Sequence, residues 1–239
     1  MVRTVAKRQF GVSTRLYQHQ RLSREHLAEI AAHGFETVEV VADRQHVDFH
    51  NPAVVADLQQ WLAEARLELH GVDVPIGTAS EDSDQALFMA RRLPMRVLVV
   101  HAGKPREASR EVERLAGLAS PLGVAIAVDS SSDSMSPAGS LVHFVETLDA
   151  AAGICLDFAH AQRGGDLVDA IETVSEHLIT THVPVDSAID WPSALTAVQK
   201  VGYEGPFVFD IAGRMAAKET LQRARRVRER FEKLLCMSI

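Results

Sequence analysis

Eight short apolar runs alternate with eight longer amphipathic stretches along the 239 residues of this chain, and that alternation most limits its fold. The short runs fall at residues 10–14, 37–42, 67–74, 97–101, 124–129, 153–157, 179–183 and 206–210, and their β-branched, apolar content reads as strands. Helical patterns fill residues 24–33, 52–65, 82–92, 108–118, 137–148, 167–177, 191–201 and 218–235. In the last of these Leu221, Ala224, Val227, Phe231 and Leu234 repeat at three-to-four spacing and give one apolar stripe. Ser23, Asn51, Ser136, Asp166 and Asp190 stand where helix N-caps are wanted. Strand–helix alternation of this kind builds parallel βαβ units. A doubly wound sheet would place a glycine-rich turn after its first strand, whereas Arg15-Leu16-Tyr17-Gln18-His19 contains no glycine. The expected fold is therefore α/β, a single (β/α)8 barrel. No linker, low-complexity segment or composition break appears, so one domain over residues 1–239 is expected.

Composition narrows the function classes. A hydrophobic content of 46% supplies a sizeable core, and a formal charge of −7 argues against a nucleic-acid partner. No run approaches the roughly 20 apolar residues of a membrane span, so no membrane partner is expected. Cys155 and Cys236 match no disulfide, redox or metal spacing, which suits a reducing cytoplasm.

The second half of the chain places an acidic residue or a histidine at the end of each apolar run: Asp129, Asp157, His182 and Asp210. Parallel strands in a ring bring such ends together at one mouth. Three carboxylates and one imidazole make a cation site, suited first to Mn2+ or Mg2+, with Zn2+ or Co2+ also within its chemistry. Read singly, each residue is equally a loop-start carboxylate or a cap.

Leu156-Asp157-Phe158-Ala159-His160-Ala161, Val99-Val100-His101-Ala102-Gly103, Ile189-Asp190-Trp191 and Gly202-Tyr203-Glu204-Gly205 occur here in a fixed order. In that order they resemble the xylose isomerase-like TIM-barrel superfamily, the sugar phosphate isomerase/epimerase and endonuclease IV-like group. The resemblance implies a divalent metal held by Asp129, Asp157, His182 and Asp210, with Asp129 and Asp210 also the acid/base pair. One would remove a proton beside a sugar carbonyl and the other would return it. It further implies that His160 orients a substrate hydroxyl and that His101 faces the site.

This chain departs from the family pattern in ways that bear on function. Both outer glutamates of the family are aspartates here, Ser130 stands where an asparagine is usual, and Asp73 takes the place of a third-strand histidine. The segment from His182 to Ile189 is short and lacks the further ligands of nuclease-like members, which disfavours an endonuclease IV-like phosphodiesterase. Two readings remain. One is a metal-dependent isomerase or epimerase of a carbohydrate or sugar phosphate. The other is a catalytically degenerate barrel, a small-molecule binder or scaffold without stoichiometric metal. A homodimer follows from family habit alone. His70 and Glu39 are candidates to line the pocket, and Arg214 is a candidate contact for a substrate phosphate or hydroxyl. His46 and His50 lie where no helix is expected and read as a solvated loop, and the arginines of the last helix read as an outer face paired with Glu219, Glu229 and Glu232.

Overall fold

Strands β1 (Phe10–Ser13), β2 (Thr37–Val41), β3 (Glu68–Val74), β4 (Val97–His101), β5 (Ala125–Asp129), β6 (Gly153–Asp157), β7 (Leu178–Val183) and β8 (Phe207–Phe209) pair in chain order. All pairings are parallel, and β8 returns to β1 to close the barrel. The helices are α1 (Arg24–Ala32), α2 (Pro52–Ala65), α3 (Ser80–Phe88), α4 (Pro105–Ala119), α5 (Ala138–Glu146), α6 (Phe158–Gly164), α7 (Leu167–Thr173), α8 (Trp191–Lys200) and α9 (Ala217–Met237). The computed structural model describes residues 8–75, 78–101, 105–129, 137–185, 188–213 and 216–237.

The expected (β/α)8 barrel is the observed one, and most elements begin and end within a few residues of their sequence limits. The exception is α6, a seven-residue helix directly after β6 that the apolar periodicity does not announce. Asp157 starts it, its carboxylate accepting the backbone N–H of His160 at 2.7 Å. Asn51, Asp166 and Asp190 cap α2, α7 and α8 as expected, accepting from Ala53, Val168 and Ser193. Ser23 forms a reciprocal cap with His26, whose Nδ1 accepts the Ser23 N–H at 3.2 Å. Ser136 and Ser130 lie outside the described residues.

The strands are buried on both faces, as parallel strands sheathed by helices must be. The main core lies between strands and helices, where Phe231 of α9 meets Phe10, Trp191, Phe207 and Phe209. A separate small cluster, Val97, Val99, Ala127 and Cys155, fills the barrel interior. Gly153 is required at the foot of β6, because a Cβ there would stand 2.6 Å from the His177 carbonyl oxygen. Two register slips then set the inward-facing residues. His70 is the extra residue where β3 passes β2, and Ile179 the extra residue where β7 passes β6. His46 is fully buried, its Nδ1 2.7 Å from the Gln20 carbonyl, while His50 Nε2 lies 2.6 Å from Asp82. The solvated loop expected around them is thus a packed one. On α9, Arg223, Arg225 and Arg228 pair with Glu219, Glu229 and Glu232, as the sequence leads one to expect. Among the described residues no helix is long and apolar enough to cross a membrane.

Candidate active site

Strand register builds the site before any side chain is considered. His101, Asp129, Cys155 and Thr180 are successive partners across β4, β5, β6 and β7, and Asp157 is the partner of His182. Partners in a parallel pair point to the same side, and positions i and i+2 of one strand share a face. Asp129, Cys155, Asp157 and His182 therefore crowd one quarter of the barrel near its C-terminal end, where barrel enzymes place their chemistry.

A line of alternating carboxylates and imidazoles crosses the mouth. Glu39 on β2 meets His182 Nε2 at 3.0 and 3.2 Å through its two oxygens. His182 Nδ1 lies 3.1 Å from Asp129 Oδ2. Asp129 Oδ1 lies 3.5 Å from His101 Nδ1, and His101 Nε2 lies 2.7 Å from Asp73 Oδ1. Glu39, Asp73, Asp129 and His182 are all buried.

The remaining expected site residues border this line with partners of their own. Asp157 Oδ1 caps α6, although Asp129, His182 and Asp210 all act on its charge. Asp210, just past β8, holds Arg15 at 2.8 Å through Oδ2, while its buried Oδ1 has no hydrogen-bond partner among the described residues. His160 is buried on α6 with Arg163 Nη2 3.2 Å from its Nδ1. His70 lies deeper in the barrel, where its Nε2 is 3.0 Å from the Thr180 hydroxyl. Glu39 and His70 were both expected to line a substrate pocket. The first clamps His182, and the second lies beneath it. Arg214 lies outside the described residues.

Charge balance at the mouth is the dominant energetic fact. Among the described residues, Glu39, Asp73, Asp129, Asp157 and Asp210 bring five carboxylates to the mouth, and Arg15, His101 and His182 are cationic groups acting on them. Burial pushes the Glu39 and Asp157 carboxyls upward, opposed at Glu39 by His182 and at Asp157 by the His160 amide. Burial disfavours charge on His101, but Asp73 and Asp129 outweigh it and lift this imidazole to about 9. His182 is also held well above the usual range against its burial, with Cys155, Glu39 and Asp129 favouring its proton. Burial keeps the Cys155 thiol protonated, so the two carboxylates carry that effect. An excess of buried negative charge is costly and is relieved by protons or by a cation.

The donor set fits a cation. Ligand atoms of Asp129, Cys155 and His182 lie within 4.8 Å of one another, and all three side chains are buried. His182 presents one ring nitrogen to this group while Glu39 holds the other, which is how metal-bound histidines are commonly oriented. Sequence reasoning passed over Cys155, Arg15 and the pairing of Asp73. Cys155 was legible in principle, since it stands two residues before Asp157 on the same face of β6. Arg15 follows a strand too short to reveal where its loop would turn.

The family model of the xylose isomerase-like TIM barrel matches residues 27–233, and the chain belongs to this family. Among solved structures it resembles the D-allulose 3-epimerase of a Methylomonas species, at 15% identity and a TM-score of 0.80 over 94% of this chain and 98% of that one. A xylose isomerase-like TIM barrel protein of Mycobacterium smegmatis, in complex with magnesium, has 12% identity and a TM-score of 0.81, with 98% of each chain covered. The IolI protein, solved with a zinc atom, has 13% identity and a TM-score of 0.72 over 94% of this chain and 98% of that one. No curated protein sequence matches. At such identities these likenesses speak to the fold.

Proposed function

We propose that this barrel is a divalent-metal-dependent isomerase or epimerase of a sugar or sugar phosphate, working by proton transfer at the carbon next to a carbonyl. The observation that carries the reading is the geometry at the mouth: Asp129 Oδ2 and His182 Nδ1 stand 3.1 Å apart, both side chains buried, with Asp157 and Asp210 within electrostatic reach. Asp129 and His182 would hold the ion, with Asp157 and Asp210 completing the cup once they leave the His160 amide and Arg15. A divalent ion there supplies Lewis-acid polarisation of the carbonyl, which acidifies the neighbouring C–H.

The protein's own groups do the rest. Asp129 ends strand five and Asp210 follows strand eight, so the two approach a bound substrate from different sides, as removal and return of a proton require. Glu39 fixes the ring of His182. His101, braced by Asp73, and His160 offer hydrogen bonds to substrate hydroxyls, and Arg15, paired with Asp210, offers a guanidinium for a phosphate or hydroxyl. A second reading, a barrel that binds small molecules without turnover, is favoured by the Arg15–Asp210 pair and by the Asp157 cap, which occupy two of the four expected ligands.

Proton exchange separates the two readings. Protein supplied with Mn2+, Mg2+, Zn2+ or Co2+ is incubated in D2O with a panel of ketoses and ketose phosphates. The isomerase reading expects deuterium at the carbon beside the carbonyl, lost in Asp129→Asn. Absence of incorporation with every sugar and ion favours the binder.

A further inference from the structure

The proton transfer above makes no use of Cys155, although its thiol is fully buried beside both proposed anchors of the ion. We propose that Cys155 is itself a ligand, making this a Cys/His/Asp centre that selects Zn2+ or Co2+ over Mg2+ and Mn2+. This rests on the reading that the mouth holds a divalent ion, and it specifies which one.

Three observations support the assignment. Backbone register puts Cys155 beside Asp129, as direct partners on β6 and β5, so the placement does not depend on a rotamer. The candidate ligand atoms of Asp129, Cys155 and His182 are mutually within 4.8 Å, and Nδ1 and Oδ2 are already 3.1 Å apart. Around a tetrahedral ion with Zn–N and Zn–O near 2.1 Å and Zn–S near 2.3 Å, donors stand about 3.3–3.7 Å apart, so only small movements are needed. Finally, Glu39 holds His182 Nε2, leaving Nδ1 facing the group.

Ligand chemistry then sets the ion. A thiolate is a soft donor that suits Zn2+ and Co2+ and gives little to Mg2+, which prefers oxygen ligands and retains its waters. As the S–metal and N–metal bonds form, the thiol proton and the His182 Nδ1 proton leave to solvent, so charge balances. Beneath Cys155 the barrel is closed by Val97, Val99 and Ala127, which leaves the mouth side open to Asp157, Asp210 or substrate as further ligands.

Co2+ spectroscopy on the full chain tests this directly. Cys236 is exposed on α9 and is the control thiol. The expected result is one Co2+ per chain with a thiolate-to-metal charge-transfer band in the near ultraviolet. That band should persist in Cys236→Ser and vanish in Cys155→Ser and Cys155→Ala, with Zn2+ affinity falling at least about 100-fold, at or beyond the upper end of a supporting-residue loss. Co2+ bound without the band, or a band lost only in Cys236→Ser, overturns the assignment of Cys155 and leaves the proposed function standing. No Co2+ or Zn2+ bound by the wild-type protein overturns the assignment of Cys155, and no Mn2+ or Mg2+ bound either overturns the proposed function as well. The Cys236→Ser spectrum, in which Cys155 is the one thiol left, decides the matter even if a Cys155 variant fails to fold.

Discussion

At the scale of single residues, the mouth is organised by groups that share charge rather than by four ligands in a ring. Glu39 is the clearest case. It is a candidate to line the pocket, and its carboxylate orients His182 from 143 positions away in the chain. Glu39→Gln keeps the shape but weakens the acceptor, and should reduce Zn2+ affinity about 10–100-fold by calorimetric titration; unchanged affinity would remove Glu39 from the metal's support. His70 makes a prediction about pH. Burial, with help from Arg96, lowers its imidazole from 6.5 to about 4. The unfolded chain thus binds the extra proton between those values, so the contribution of His70 is complete above pH 6.5 and lost as pH falls towards 4. Urea midpoints should drop more steeply across that window in the wild type than in His70→Gln, by up to roughly 3 kcal/mol; parallel slopes would contradict the buried, neutral imidazole. The sequence shows on which strand each of these residues sits and on which face. It does not show partners, because a contact between β2 and β7 depends on barrel closure and on two register slips that no local pattern encodes.

At the scale of elements, local chemistry and packing can be tested separately. Asn51 caps α2 from its side chain, and Pro52 occupies the first helical position, so the start of this helix is set by its own residues. Asn51→Ala should cost about 1 kcal/mol in chemical denaturation with the barrel otherwise unchanged. α9 is held by packing instead, through Phe231 among Phe10, Trp191, Phe207 and Phe209. Phe231→Ala should cost about 3–5 kcal/mol, and a loss under 1 kcal/mol would mean that α9 does not brace the closing strands. The elements that periodicity located are those long enough to show a period. α6 has seven residues and begins at a cap, so Asp157 reads equally well as a strand-end ligand and as a helix start. The structure makes it the start of the helix while leaving it within electrostatic reach of Asp129, His182 and Asp210.

At the scale of the whole molecule, alternation of short apolar runs and amphipathic stretches was enough to specify a closed eight-stranded barrel, because every parallel strand must be covered by a helix. The same closure concentrates Glu39, Asp73, Asp129, Asp157 and Asp210 at one end of a chain of net charge −7. Native mass spectrometry of chelator-stripped protein, titrated with Zn2+ and Mn2+, asks whether a metal joins them. One tightly held ion per folded wild-type chain, absent from folded Asp129→Asn and His182→Asn, is the predicted result. A wild-type chain that takes up none, or variants that keep it, would contradict the metal centre at the heart of this account.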